Sequence, residues 1–514
     1  MTANDERAFG AADVAACGAL ALLMLSSYVL NAFIFPNVAA LFPAGREIST
    51  YCGAAFSVVV AIAAYRRPAV LREGAWSLAC LALFAAGLVL LWMGLVTNNA
   101  LLVAVGSPFG GIGSVWFSVL VGLMLIKLGA KRSMVVIPTA FVAKYAVQVG
   151  LSTLGAALPL VAALALYFCC TAASYVLVRP HVRGMIATVR TSASPTVLDA
   201  TNPSSFLPFS SLVYVSIFLF NAACGYAFGG QGEALSLTAT LLTFVPVVVV
   251  FFIVVAARAR LSADVLYQAS ALLVFAGFLL APLAIMGVAG PADLHASSVL
   301  LYAGSDCFSV LTYFLIAAVG ARNPVGALST SASALAASWL GIGCGALVVQ
   351  GIEGLGVHDA GPLLSASALV TFLFMAYNFV VLKRFSFEEA IQGVRPVPRA
   401  LAVASEELAE GERRAVGDGQ TPSDSLPTED ADDPAASAFE TACDAVVERF
   451  ALTPREADVL RLLARGRTSP VIQEKLFLSH NTVKTHVRHI YAKMDIHSQQ
   501  ELIDIVEASE GDEG

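Results

Sequence analysis

The residues best placed to do chemistry lie near the C-terminus, in the stretch LFLSHNTVKTHVRHIYAKM, Leu476 to Met494. Val483, Val487, Ile490 and Met494 recur at i, i+4, i+7 and i+11, the spacing of one buried stripe on an α-helix. Lys484 and Arg488 stand one turn apart on the face turned away from that stripe, with Thr485 beside them. Ser479, Asn481, Thr482 and Lys493 surround this surface with further polar groups, and no acid occurs between Glu474 and Asp495. A donor-rich cationic helix of this width fits the major groove of duplex DNA, where Lys and Arg read guanine O6 and N7. Thr482 and Lys493 are placed for phosphates, which position a helix without reading sequence. An amphipathic surface helix with solvated bases has the same pattern, and the near-neutral charge of the surrounding segment does not separate the two readings.

Other chemistry is sparse. His480, His486, His489 and His497 lack a neighbouring cysteine or carboxylate in metal-ligand spacing, so no metal site is expected. The nine cysteines lie mostly in apolar stretches and read as small buried hydrophobes. There is no nucleophile–base pair and no phosphate-cradling loop, so neither an enzyme nor a cofactor is expected. Two ionisable residues, Lys144 in FVAKYAVQVG and Asp306 in YAGSDCFSVL, fall in the middle of apolar runs. Charge at such depth in a bilayer costs about 3 kcal/mol, so it faces a cavity or a partner. One or both are candidate ligand-sensing groups, lining a central pocket for a small ligand or proton; a structural ion pair or a snorkelling side chain is the equal alternative.

Start and stop signals place the Leu476–Met494 stretch in a small helical domain. Thr453-Pro454-Arg455-Glu456 reads as a capping box with proline in the first turn, and Ala457, Leu460, Leu463 and Ala464 give one apolar face. Gly466 can end that helix, and Ser469-Pro470 opens a second with Ile472 and Leu476 inward. Ser479 caps the third, with Leu478 and Val483 spaced as a hydrophobic staple, and Ser498 to Glu501 is a second capping box opening a fourth.

Upstream, composition changes class. The chain is 58% hydrophobic and 13% charged, and residues up to about 384 hold little of that charge. About 20 apolar residues cross about 30 Å of hydrocarbon. Such runs recur at roughly 13–35, 48–64, 75–95, 101–126, 134–154, 156–178, 206–229, 235–257, 265–288, 297–320, 327–350 and 363–382, twelve in two sets of six. MTANDERAFG has no basic n-region, so the first run is expected to be a retained helix. With the N-terminus in the cytoplasm, the inner loops collect Arg66, Arg67, Arg72, Lys127, Lys131, Arg132, Arg179, Arg183, Arg190, Arg258, Arg260, Arg322, Lys383 and Arg384, and the outer loops only Arg46. The positive-inside rule then predicts both termini in the cytoplasm. The run GSPFGGIGS (Gly106 to Ser114) suggests a broken helix or an outer loop, and ALSTSASALAASWLGIG (Ala327 to Gly343) suggests close helix packing. Residues 391–444 are acidic and rich in Pro, Gly and Ser, a flexible tether with a short helix near 401–413.

The last 60 or so residues resemble the LuxR/FixJ-type helix-turn-helix family through LTPREADVLRLLARGRTSPVIQEKLFLSHNTVKTHVRHIYAKM. The resemblance implies that the second and third helices form the turn motif, that the third enters the major groove and that the fourth dimerises. By position, Lys484, Thr485 and Arg488 would face base edges, and Thr482, His486 and Lys493 would serve nearby contacts or orientation. Pro470 and Val471 replace the family's usual polar helix formers, and Gln473 its usual small alanine, which bears on the angle between the two helices. Twelve helices in two sixes are similar to major facilitator transporters in topology alone. The loop YRRPAVLREGAW lacks the facilitator motif. The expected chain is therefore all-α: residues 1–390 a multi-pass sensor, 391–444 a linker, and 445–510 a DNA-binding domain. It would be a regulator in a bacterial cytoplasmic membrane whose partners are promoter DNA, the bilayer, an unidentified small-molecule or ion signal and a second copy. The alternative is a transporter with an accessory DNA-binding tail.

Overall fold

Apolar runs of this length form helices because the bilayer offers backbone amides no partner other than their own chain. The computed structural model describes residues 10–154, 158–191, 205–229, 237–257, 261–285, 291–354, 360–394 and 434–511. Every regular element among them is helical. The membrane part comprises α1 (Ala11–Leu41), α2 (Gly45–Arg66), α3 (Glu73–Val96), α4 (Ala100–Leu154), α5 (Leu160–Thr191) and α6 (Leu212–Gly229). It continues with α7 (Leu237–Phe251), α8 (Ala263–Ile285), α9 (Pro291–Arg322), α10 (Ala327–Gly354) and α11 (Ala360–Ala376), and π-turns extend α7 and α11.

Ten of these are long and apolar enough to cross a membrane, and Leu212–Ala227 is a shorter apolar helix. At about 1.5 Å per residue, α4 would be some 80 Å long, far more than one bilayer. Gly129, at φ 79° and ψ 168°, turns it back, a conformation open to glycine because it has no Cβ. Counting α4 as two limbs and α6 as a crossing gives twelve spans, as the hydropathy pattern predicts. Leu78, Leu101, Leu272, Phe372 and Val380 are each more than 60% exposed, which suits lipid and not water.

Two expectations change. The GSPFGGIGS run is continuous helix: Gly106 and Gly113 back onto Gly87 and Phe84 of α3, and Gly111 onto Ser49 of α2. These glycines form a packing seam, with no break and no loop. The C-terminal domain also begins before residue 445, because Pro434–Arg449 is a helix that the tether composition concealed. The short helix expected near 401–413 lies outside the described residues. In α10 the small residues do pack closely: Ser331 Oγ donates to Val119 O of α4 (3.1 Å) and Ser57 Oγ of α2 donates to Ala332 O (2.9 Å).

The basic loops meet at one end of the bundle and tie it together. Glu73, buried at the start of α3, accepts the Tyr175 hydroxyl at 2.8 Å and pairs with Arg179 (3.5 Å) and Arg183 (3.3 Å) of α5. Asp13 of α1 pairs with Arg132 at 3.7 Å, and Lys127 donates to His181 O at 2.6 Å. At the same end lies a short helix, α12 (Phe387–Gly393), with Phe387 and Ile391 buried. Asp264 of α8 accepts the Ser386 hydroxyl (2.7 Å) and the Phe387 amide (2.6 Å), capping its start. Arg322, the last residue of α9, donates to Gln392 O (2.9 Å) and Val394 O (2.8 Å), capping its end.

Charge-assisted bonds of this kind contribute about 1.5–3 kcal/mol each, so Arg322→Ala should release α12 locally. Hydrogen exchange on the protein in lipid nanodiscs should speed up about tenfold or more at residues 389–394, with the spans unaffected. Unchanged exchange there would mean that the arginine caps nothing.

Candidate nucleic-acid interface

Five helices build the C-terminal domain: α13 (Pro434–Arg449), α14 (Pro454–Ala464), α15 (Ser469–Leu476), α16 (His480–Met494) and α17 (Gln499–Gly511). Their core is separate from that of the membrane part: Ala442, Cys443 and Val446 of α13, Val459, Leu460 and Leu463 of α14, Ile472, the α16 stripe, and Leu502 and Val506 of α17. Burial pushes the Cys443 thiol up to about 11, so it stays protonated and acts as a small hydrophobe. α13 packs on α17 and is clipped to α14 by Arg461, which pairs with Asp444 and with Glu440 (3.1 Å), and by Arg465, which pairs with Glu440 (2.6 Å). The sequence held a signal for this helix, since Phe439, Cys443, Val446 and Phe450 follow the i, i+4, i+7, i+11 spacing.

The helix ends follow the sequence signals. Thr453 Oγ1 accepts the Glu456 amide while Glu456 Oε2 accepts the Thr453 amide at 2.8 Å, a closed capping box. Gly466 ends α14 at φ 69°, its amide on Leu463 O and that of Arg467 on Leu462 O. Phe477, at φ 54°, makes the turn between α15 and α16. Ser479 Oγ accepts the Thr482 amide at 3.2 Å and so caps α16, and Ser498 does the same for Glu501 (3.2 Å).

Val483, Val487 and Ile490 have no exposed surface and Met494 is 4% exposed, which fixes how α16 is rotated. Arg488 and Thr485 are exposed on the other side, while Lys484, His486 and Thr482 are half-buried. Asn481 lies in the first turn of α16. Lys493 is placed differently from its expected phosphate role: its ammonium donates to Glu456 Oε2 (2.7 Å) and Ala451 O (3.0 Å), tying α16 to the start of α14. His489 Nδ1 lies 3.7 Å from Glu456 Oε1. Thirty-seven residues separate Glu456 from Lys493, so nothing in local spacing announces the pair.

Glu456 is the electrostatic hub. Burial raises its pKa, but the bond from Lys493 and those from Thr453 outweigh this and hold the carboxyl at about 2. A folded value below the ordinary 4.5 means that the stabilisation is whole above about pH 4.5 and is lost as pH falls toward 2.

Residues 451–506 match the family model described as bacterial regulatory proteins, luxR family. The chain is 44% identical over 50 residues to the nitrate/nitrite response regulator NarL of Escherichia coli, 10% of this chain and 23% of NarL. It is 47% identical over 45 residues to the transcriptional regulatory protein LiaR of Bacillus subtilis, 9% of this chain and 21% of LiaR. A Mycobacterium bovis protein is 45% identical over 53 residues, 10% of this chain, and the match covers 6% of its length. The chain thus spans between 6% and 23% of these three relatives. Among solved structures, the major facilitator proton:xylose symporter XylE superposes at TM-score 0.45 and 10% identity, covering 74% of this chain and 98% of XylE. The human organic anion transporter MFSD10 gives 0.42 and 14%, covering 71% and 98%. The chain carries a LuxR-family helix-turn-helix domain on a multi-pass helical membrane body.

In residues 434–511, Glu456→Gln should cost on the order of 2 kcal/mol at neutral pH, discounted because the Lys493 side chain is 36% exposed. Denaturant titrations should show the gap closing as pH drops to about 2.5. A difference that does not vary with pH would contradict the pairing.

Proposed function

We propose that the protein is a membrane-anchored, one-component transcription regulator. Its C-terminal domain binds promoter DNA on the cytoplasmic side, and its membrane body receives the signal. The observation that carries this reading is the rotation of α16: the buried Val483–Met494 stripe leaves Arg488 and Thr485 exposed on a helix whose own residues include no acid. In the proposed complex Lys484, Thr485 and Arg488 meet base edges, with Arg488 and Lys484 donating to guanine acceptors. Ser479, Asn481, Thr482 and His486, in or beside the first turns of α16, meet phosphates or orient the reading residues. Lys493 acts indirectly, by holding α16 against α14 through Glu456. Binding as a homodimer would use two half-sites about one helical turn apart.

The membrane orientation follows from the basic residues at one end of the bundle, with Arg46 at the other. That end would face the cytoplasm of a bacterial inner membrane, where the C-terminal domain could meet DNA. Lys144 and Asp306 are proposed as the sensing groups for a small-molecule or ion signal. Their ammonium and carboxylate lie 3.3 Å apart, and Asp306 also accepts the Tyr145 hydroxyl. The pair joins α4, from the first six spans, to α9, from the second. A signal that disturbs it can therefore change how the halves meet.

Fluorescence titration of residues 434–511 with a duplex holding a crosslink-derived site tests the DNA reading. Affinity should fall steeply with salt as phosphate-bound counterions are released. Arg488→Ala should weaken binding by about 1–3 kcal/mol and relax preference at one base pair. Equal affinity for all sequences before and after the change would contradict base reading by Arg488.

A further inference from the structure

The last helix of the C-terminal domain leaves little apolar surface open. Along α17, Leu502 and Val506 are buried, and Ile503 and Ile505 are half-buried. Gln499 fixes its start, donating from Nε2 to Leu463 O (2.9 Å) and Arg467 O (3.3 Å) at the end of α14. The remaining arc is exposed and consists of Gln500, Glu501, Asp504, Glu507 and Ala508. It carries acids and no cation, and α17 contains no lysine or arginine anywhere. Two copies of α17 laid together through this arc would set like charges face to face.

The apolar side of α17 is taken within the chain. α13 packs along it and adds Ala442, Cys443 and Val446 to the shared core, with Phe439 and Val447 partly buried beside them. Two arginines of α14 clip α13 in place. Arg461 pairs with Asp444 and with Glu440 (3.1 Å); Arg465 pairs with Glu440 (2.6 Å) and lies 5.0 Å from the centre of the Phe439 ring. α13 precedes the stretch that matches the family model, which begins at residue 451. It is thus an addition to the matched four-helix unit, held by a short apolar stripe and a few partly exposed ion pairs. Such pairs are individually weak, so α13 is the helix of this domain most easily lifted. Lifting it would uncover the side of α17 that it covers, and an apolar face of this kind is met most simply by the same face of a second copy.

We infer that α13 is a built-in partner for α17, occupying the face through which a second copy of this chain would otherwise pair. With α13 seated, the domain is a monomer; with α13 lifted, two domains join through α17. This deepens the regulator reading and rests on it for its consequence, since two half-sites on DNA call for two domains. α13 is also the first helix of the domain in chain order, so the chain coming from the membrane body enters the domain at the element that would switch it.

Cys443 is the one cysteine of residues 434–511 and has no exposed surface, so its thiol reports whether α13 is seated. The core of these residues is separate from that of the bundle, which lets them be studied alone. Sedimentation velocity of 434–511 at about 100 µM should show a monomer, with Cys443 slow toward a thiol reagent. R461E/R465E should lift α13: Cys443 labelling rises about tenfold or more, and dimers form. Adding E440R/D444R to that variant re-forms the pairs in reverse and should restore both slow labelling and the monomer. Residues 450–511 lack α13 but keep the whole family-matched stretch; they should dimerise as well, and a peptide of residues 434–449 should return them to monomers. A dimer of the unsubstituted domain with Cys443 protected overturns the inference, as does a charge-reversed variant that labels fast yet stays monomeric. Slow labelling of R461E/R465E would show that the arginines do not hold α13 and contradicts it too. None of these measurements includes DNA, so a failure to bind duplex would remove the regulator reading and leave the pairing of α17 to be judged by itself.

Discussion

The cost of leaving charge in hydrocarbon organises this molecule. Among the described residues, the charged groups of the bundle gather at its ends or are matched inside, as Lys144 is by Asp306 and Tyr145. The same penalty gathers Arg66, Lys127, Lys131, Arg132, Arg179 and Arg322 at one end, where Glu73, Asp13 and the carbonyls of α12 hold several of them. The proposed sidedness rests on that segregation, and with it the compartment in which the C-terminal domain would work.

The small domain obeys a different solvent and uses different means. In water, α16 is rotated by burying Val483, Val487, Ile490 and Met494, and its start is fixed by Ser479. Its far end is held by Lys493 on Glu456, a carboxylate that also caps α14. One buried group thus sets both the beginning of the first core helix and the seating of the helix proposed to read DNA. At the end of the membrane body, α12 is gripped by Asp264 and Arg322, which bond it to α8 and α9.

Much of this was legible in the sequence where the deciding force is local. Capping boxes at Thr453 and Ser498 lie within four residues, and apolar runs report spans directly. What escaped was non-local or masked by composition. Lys144 and Asp306 are 162 positions apart, so spacing left their pairing level with a ligand-sensing role. Lys493 read as a phosphate contact because Glu456 is distant in sequence. α13 hid behind an acidic, proline-bearing stretch although its apolar spacing was helical. Gly106–Ser114 read as a break because glycine and proline disrupt helices in water; between membrane helices the same residues permit close backbone approach.

Genome-wide crosslinking with the full-length, tagged protein in its own membrane is the most direct measurement. Discrete duplex sites should be enriched with the wild-type chain and lost when Lys484 and Arg488 are both changed to alanine, with membrane levels unchanged. A crosslinking profile indistinguishable between the two chains would contradict a membrane-bound regulator that reads DNA through α16.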